Sequence, residues 1–167
     1  MKKYIFKPYS SVFTSLFDLE KIKLQERLKR DIVIEHIGST AIPGLGGKGI
    51  IDIMVGIPKG KYLFTELIKK LEKAGWEHRE KADSLERIFF RKDLPDKVDT
   101  IRRYHLHLTY SNSKDWKEII NFRNNLINNS NIRKAYEDLK KMAIKDANGD
   151  GEKYRKLKEP FINKFSR

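Results

Sequence analysis

The chain has 167 residues, a length that fits one domain with one hydrophobic core. It contains no cysteine, which excludes disulfide bonds, cysteine-ligated metals and thiol nucleophiles. The formal net charge of +13, from 36 lysine and arginine against 23 aspartate and glutamate residues, favours anionic partners such as phosphates, nucleotides or nucleic acid. The alternative is a lysine-rich solvated surface with no focused anion site, because lysine is mixed with acidic residues along the chain.

Targeting and linker signals are weak in this sequence. The first residues are charged but are not followed by an apolar run of signal-peptide length, and no stretch approaches the roughly 20 apolar residues of a membrane span. We therefore expect a cytoplasmic protein without membrane association. No repeat or Ser/Pro-rich linker divides the chain, so residues 1–167 are predicted to form a single domain.

The first third of the chain predicts a helix, two strands and a glycine-rich loop. Helical spacing of apolar residues predicts a helix over 10–30. The apolar residues of this helix form two neighbouring stripes along its surface, one of Val12, Leu16 and Leu19, the other of Phe13, Phe17, Leu24 and Leu28. Residues 31–37 predict a β-branched strand, 38–49 the glycine-rich loop, and 50–57 an apolar strand covered on both faces.

The rest of the chain predicts strands followed by helices. A helix over 61–74 ends at Gly75, strands cover 76–80 and 87–92, a turn covers 94–96, and 104–109 alternates as a strand does. Helices are predicted over 113–128, over 131–145 and from the Asn148–Gly151 turn to about 165. This order indicates an α/β (α+β) fold, a mixed sheet flanked by helices with a C-terminal helical segment.

Two candidate sites lie in and beside the glycine-rich loop. Gly38 lets the backbone approach a ligand closely, the Ser39 hydroxyl and nearby amides are suited to a phosphate, and Lys48 adds positive charge. A plain crossover loop is the alternative, since the pattern matches neither the Walker motif nor the dinucleotide fingerprint. Asp52, a lone carboxylate in an apolar strand, predicts either a metal or ligand site or a buried salt bridge.

A third candidate site is the histidine pair His105 and His107, which share one face of a strand. Two imidazoles on one face are suited to a metal or a phosphate, or they are ordinary hydrogen-bonded histidines. Arg102 and Arg103 precede them and favour a nearby anion, and His36 is a further candidate ligand. By contrast, the run from Asp146 to Gly151 opens like a calcium loop but lacks its final glutamate, so it predicts a helix–helix turn.

Three groups of motifs stand out: Glu35–Leu45 followed by Lys48–Val55, then Tyr104–Leu108 with Asp115-Trp116 and Asn121-Phe122-Arg123, and last Ala135–Lys140 with Tyr154 and Lys158–Ile162. They resemble the signature of the GrpB family, whose members are thought to share the nucleotidyltransferase fold. The resemblance covers nearly the whole chain and keeps the motif order.

The resemblance implies a nucleotide site on the Gly38–Thr40 loop. In the superfamily a Gly-Ser pair lies over a triphosphate and an Asp-x-Asp strand binds divalent metals. Here Gly38, Ser39 and Asp52 match, but Ile50 and Met54 stand where a second carboxylate would be. This suggests an altered site in which Asp52, with His105, His107 and His36, holds a single transition-metal ion such as Zn, Mn or Ni rather than a pair of magnesium ions. The expected cofactor is a divalent metal, Mg, Mn or Zn, with a nucleotide as ligand or substrate. Lys48, Arg102, Arg103 and Arg123 would offset phosphate charge.

Three functions remain open on the sequence. One is a metal-dependent nucleotidyl or phosphoryl transferase using Asp52 and Ser39. The second is a non-catalytic module for a nucleotide, a coenzyme-A-like ligand or another phosphorylated small molecule. The third is an RNA-binding protein, which no recognition motif supports.

Overall fold

A computed structural model describes residues 5–28 and 31–167. Its longer elements are α1 (Val12–Arg27), β1 (Val33–Ile37), β2 (Ile51–Ile57), α2 (Phe64–Lys73), β3 (Glu77–His78), β4 (Arg87–Asp96), β5 (Thr100–Tyr110), α3 (Lys114–Asn128), α4 (Ser130–Ala147) and α5 (Gly151–Phe165). Two short 3-10 turns, Ser39–Ala41 and Glu80–Ala82, lie between strands. The predicted end of the first helix falls partly on residues 29–30, outside the described ranges.

The strands form one mixed sheet in the order β1-β2-β5-β4-β3. β2 and β5 are parallel, and the other neighbours are antiparallel. The predicted α/β fold class is confirmed. In the parallel pair Asp52 lies opposite His105 and Met54 lies opposite His107. Because directly paired residues share a face, these side chains lie on the same side of the sheet.

The other face of the sheet packs on α1 and α2 and forms the main core. Leu67 and Leu71 of α2 are fully buried against it. On α1 the buried stripe is the one that contains Phe13 and Phe17, while Leu19 of the neighbouring stripe stays 58% exposed. The bulkier aromatic stripe therefore faces the sheet.

The predicted turn at 94–96 is wrong, because β4 continues through Pro95 to Asp96 and β5 already begins at Thr100. Pro95 pairs with Ile101, beyond the two-residue pairing with β3, so β4 is an edge strand there. An edge position does not require the backbone N–H that proline lacks. The turn lies after Asp96, whose Oδ1 accepts hydrogen bonds from the amides of residues 98 and 99 at 2.9 and 2.7 Å.

Helices α3, α4 and α5 cover part of the Asp52 face of the sheet. They are joined to the loop after β1 by a second apolar cluster that includes Ile42, Leu126 and Tyr136. The turn between α4 and α5 has Asn148 in a left-handed conformation, and Asp150 caps α5 by accepting from two backbone amides at 2.9 and 3.1 Å. The calcium-like run is thus a helix–helix turn, as predicted. Within the described ranges, no helix is long and apolar enough to cross a membrane.

Candidate functional site

A cleft of about 760 Å³ lies between the sheet and α3–α5. Nine cationic side chains line it, against three carboxylates: Asp52, Asp115 and Glu118. The sheet side contributes Arg79, Arg87, Arg91 and Arg103, and the helix side Arg123, Lys140, Arg155 and Lys158, with Lys48 on the loop. Five of the arginines form salt bridges, Arg87 with Asp115 of the lining and the other four with carboxylates beside it, namely Glu77, Asp93 and Glu35, so the net positive charge is smaller than the lining count.

Asp52 and His105 form a hydrogen-bonded pair in this cleft, with 3.1 Å between Asp52 Oδ1 and His105 Nδ1. Burial raises the pKa of Asp52, but the hydrogen bond from His105 and the positive charge of neighbouring groups outweigh it and leave the pKa below its ordinary value. Asp52 is therefore ionised at neutral pH and accepts the proton on His105 Nδ1. With His105 Nδ1 bonded to Asp52, Nε2 is the ring nitrogen left for contact with a ligand.

His107 lies on the same strand face, and its Nδ1 is buried without a hydrogen-bond partner among the described residues. Burial lowers the pKa of His107 to about 3, helped by the charge of Arg87, so this imidazole is neutral. Phe89 of the neighbouring strand β4 contacts both rings, with centroid distances of 5.0 Å to His105 and 5.1 Å to His107. The histidines thus share a face without bonding to each other.

Gly38 and Ser39 bring the glycine-rich loop to the cleft. Gly38 has a φ of +70°, and a Cβ there would overlap Asp52 Oδ2 and come within 3.0 Å of Asp52 Cγ. The carboxylate is therefore seated directly against the Gly38 backbone. Ser39 packs against Gly47, where an added Cβ would overlap Ser39 Oγ and lie 3.1 Å from Lys140 Nζ.

Lys140, which the sequence analysis missed, is 2% exposed, and its ammonium donates a hydrogen bond to the carbonyl of Gly46. Burial, together with the charge of Lys158, lowers the pKa of Lys140 to about 7. The charges of Glu137 and Asp52 offset this lowering only in part, and the Glu137 carboxylate accepts from the Gly46 amide at 3.0 Å and pairs with Lys141 at 2.7 Å rather than with Lys140. In the described ranges, neither Lys140 nor Lys158 has a carboxylate within salt-bridge distance.

A Tyr-x-x-x-Lys pattern, present in both α4 and α5, places these lysines. Tyr136 and Lys140 lie one turn apart, with the ammonium 5.3 Å from the ring centroid. The ring centroid of Tyr154 lies 4.1 Å from Lys158 Nζ and 4.6 Å from Lys48 Nζ. The i, i+4 spacing was a readable signal that both residues of each pair share a helix face, but the sequence did not show that these faces meet the glycine-rich loop.

His36 and Thr40 are not brought to the cleft with the other predicted residues. His36 stacks on Phe17 in the core with 4.4 Å between ring centroids. The Thr40 hydroxyl donates to the Ile50 carbonyl at 2.9 Å, so it accepts from His36 Nε2 at 3.0 Å. Ile37 pairs with Asp52, so its neighbour His36 points to the opposite face of the sheet. From that face the hydrogen bond between His36 and Thr40 supports the loop.

The three predicted arginines are placed differently. Arg102 is buried on the core face, where it pairs with Asp96 and Asp99 at 3.2 and 2.6 Å. Arg103 lines the cleft and makes two hydrogen bonds to Asp93, at 2.9 and 3.0 Å. Arg123 also lines it, donating to Glu35 at 2.7 Å and to a β1 carbonyl.

The donor set does not fit the two-metal site that the fold resemblance implies. Asp52 is the single carboxylate on its strand, its Oδ1 is bonded to His105, and His36 is on the other face. In the described part of the chain, no group of three or more His, Cys, Asp or Glu side chains is arranged to hold a metal ion.

Comparison with known proteins gives a consistent result. The model of the family described as GrpB protein matches residues 4–167. The chain belongs to the GrpB family. The glutamate-rich protein GrpB of Alkalihalophilus pseudofirmus is 30% identical over 158 residues, covering 94% of this chain and 90% of that protein.

Two further relatives of this GrpB-family chain support the assignment. The UPF0157 protein PA4798 of Pseudomonas aeruginosa is 31% identical over 129 residues, and the match spans 77% of this chain but about half, 52%, of that protein. The crystal structure of the conserved protein GrpB from Enterococcus faecalis superposes with a TM-score of 0.79 at 27% identity, covering 97% of this chain and 94% of that one. The predicted family resemblance is confirmed.

Proposed function

We propose that the cleft binds a nucleotide or another phosphorylated small molecule through its lysine and arginine side chains, without a bridging metal ion. The observation that carries this proposal is the set of nine cationic side chains that line the cavity, which outnumber the three carboxylates of the lining and the three, Glu77, Asp93 and Glu35, that pair with lining arginines. Such a concave positive site attracts phosphate groups and holds them by charge-assisted hydrogen bonds. The volume of about 760 Å³ suits a ligand of nucleotide size.

The role of Asp52 separates this proposal from metal-bridged binding. In a metal site the carboxylate is essential, because it holds the ion that holds the phosphates. In a cation-lined site the same carboxylate repels the phosphates and weakens binding. The two arrangements therefore predict opposite effects of neutralising Asp52.

The test is calorimetry and thermal shift with ATP and coenzyme A, each with EDTA or with magnesium. We expect both ligands to bind and to raise the melting temperature in EDTA, and adenosine to do neither. Asp52→Asn should tighten ATP binding by about threefold, the effect of removing one charge about 6 Å from a phosphate in a water-like dielectric.

The matched control is Asp138→Asn, which neutralises an exposed carboxylate on α4 and should leave ATP affinity unchanged. ATP binding that requires magnesium and disappears in Asp52→Asn would reject the proposal in favour of a metal site. The absence of any response to ATP or coenzyme A would reject it altogether.

A second candidate function is nucleotidyl transfer, favoured by the Asp52–His105 hydrogen bond. This bond leaves His105 Nε2 as a base facing the cleft. In that reaction an acceptor hydroxyl attacks the α-phosphorus of a nucleoside triphosphate, His105 takes the hydroxyl proton, a phosphodiester forms and pyrophosphate leaves.

Pyrophosphate release from ATP with a panel of hydroxyl-bearing metabolites tests this second function. We expect His105→Asn to lower the release about a hundredfold or more while ATP affinity changes little, as loss of a general base does. Equal release by wild type and His105→Asn would remove His105 from the reaction. No release by the wild type would leave binding as the function.

A further inference from the structure

We infer that Lys48, Lys140 and Lys158 form a polyphosphate subsite that takes two or more adjacent phosphoryl groups of the ligand. It lies on the wall made by α4, α5 and the glycine-rich loop, on side chains separate from the Asp52–His105 pair. The inference rests on the proposed function and adds to it the ligand class and the orientation of the ligand. The phosphates bind at the helix wall, and the remainder of the ligand extends toward the sheet.

The first support is the clustering of three ammonium groups around two tyrosine rings. Lys48 and Lys158 lie 4.6 and 4.1 Å from the ring centroid of Tyr154. Lys140 lies 5.3 Å from that of Tyr136 and contacts the loop at Gly46. Aromatic faces hold such cations in place but do not cancel their charge.

The second support is the burial of Lys140, with Lys48 and Lys158 half-buried beside it. Lys140 is 2% exposed and its hydrogen-bond acceptor is a neutral carbonyl. Burial, together with the charge of Lys48, lowers the pKa of Lys158 to about 8, and burial also lowers the pKa of Lys48. The charge of Asp52 offsets part of this cost for all three lysines, and an anion bound among them would offset more of it.

The third support is the position of the glycine-rich loop. Ser39 Oγ and Lys140 Nζ both lie against Gly47, so the loop residue expected to hold phosphate is next to the buried lysine. A phosphoryl group carries a charge of about −1.5 to −2 near neutral pH. Three lysines therefore exceed the charge of one phosphate and match a pair or a chain of phosphates better.

The test uses inorganic phosphates in EDTA, so that no nucleoside contributes. We expect the affinity to rise from orthophosphate to pyrophosphate to tripolyphosphate. Lys140→Met and Lys158→Met should each weaken pyrophosphate binding by about tenfold, the loss of one charged hydrogen bond. Lys145→Met removes the same charge from the exposed part of α4 and should change the affinity by less than about twofold.

Circular dichroism and melting temperature establish that each variant is folded. Should Lys140→Met not fold, Lys158→Met on the other helix decides the question. Pyrophosphate affinity at the wild-type level in the folded lysine variants, or equal affinities for orthophosphate and pyrophosphate, would overturn the subsite. If ATP still binds in that case, the proposed function survives alone, whereas a wild type that binds neither ATP nor pyrophosphate contradicts both.

Discussion

Gly38 determines how closely the loop after β1 can approach the carboxylate of β2. Its positive φ and its contact with Asp52 both select a residue without a side chain. The sequence alone indicated that a Gly-Ser pair would lie near Asp52. It did not indicate that the Asp52 carboxylate would pack directly against the backbone of Gly38.

The prediction at the residue scale is that Gly38→Ala lowers the free energy of unfolding by about 2–4 kcal/mol, because it adds both backbone strain and a clash with Asp52. Gly60→Ala is the matched control, since Gly60 has a similar φ of +77° but no atom within 4 Å of an added Cβ. We expect it to cost only about 1–2 kcal/mol. Urea denaturation measures both values, and equal losses would show that the Asp52 contact contributes nothing.

Helices and strands were predictable where their signals are local. The start of α3 follows from Ser113, whose side chain accepts from the Trp116 amide at 3.1 Å, and the α4–α5 turn follows from its Asn-Gly-Asp run. The β4–β5 hairpin was predicted too short, because Pro95 is a turn residue by composition but lies on an edge strand. Whether a strand position is at an edge is decided by pairing partners, which short windows of sequence do not contain.

In the candidate site, too, the residues placed by local sequence patterns were predicted and those placed by long-range packing were not. The period of two residues along a strand placed His105 and His107 on one face, and the family resemblance grouped Asp52 with them; strand pairing puts all three on the same face of the sheet. Lys140 and Lys158 were missed because the glycine-rich loop and the C-terminal helices are about a hundred residues apart in sequence. His36 was grouped with the site because of its closeness to Gly38 in sequence, although its strand phase points it at Phe17.

At the scale of the whole molecule, the buried histidines make stability depend on acid pH. Burial lowers the pKa of His36 to about 4, against an ordinary value of 6.5 that applies in the unfolded chain. Below pH 6.5 the unfolded chain binds a proton that the folded protein does not, so stability falls as the pH falls from about 6.5 to about 4. His107, whose pKa is lowered to about 3, acts in the same direction.

We expect His36→Asn to reduce the loss of unfolding free energy between pH 7 and pH 5 by up to about 2 kcal/mol. The net charge of +13 also disfavours the folded state in acid, but it acts almost equally on wild type and variant and cancels in the comparison. Urea denaturation at the two pH values gives the four free energies. Identical pH dependence in both proteins would show that His36 does not titrate differently on folding.

The length of the short turn between α4 and α5 sets the spacing of the lysines on the two helices. One Tyr-x-x-x-Lys pair lies on α4 and the other on α5. The cap at Asp150 sets where α5 begins and therefore the position of Lys158 relative to Lys140. An inserted or deleted residue in the turn would move Lys158 relative to Lys140 and leave the strand pairing of Asp52 with His105 untouched. With the proposed lysine subsite, we therefore expect the length of phosphate chain accepted and any chemistry at the sheet to be separately adjustable, and turn-length variants titrated with phosphates of increasing length would test this independence.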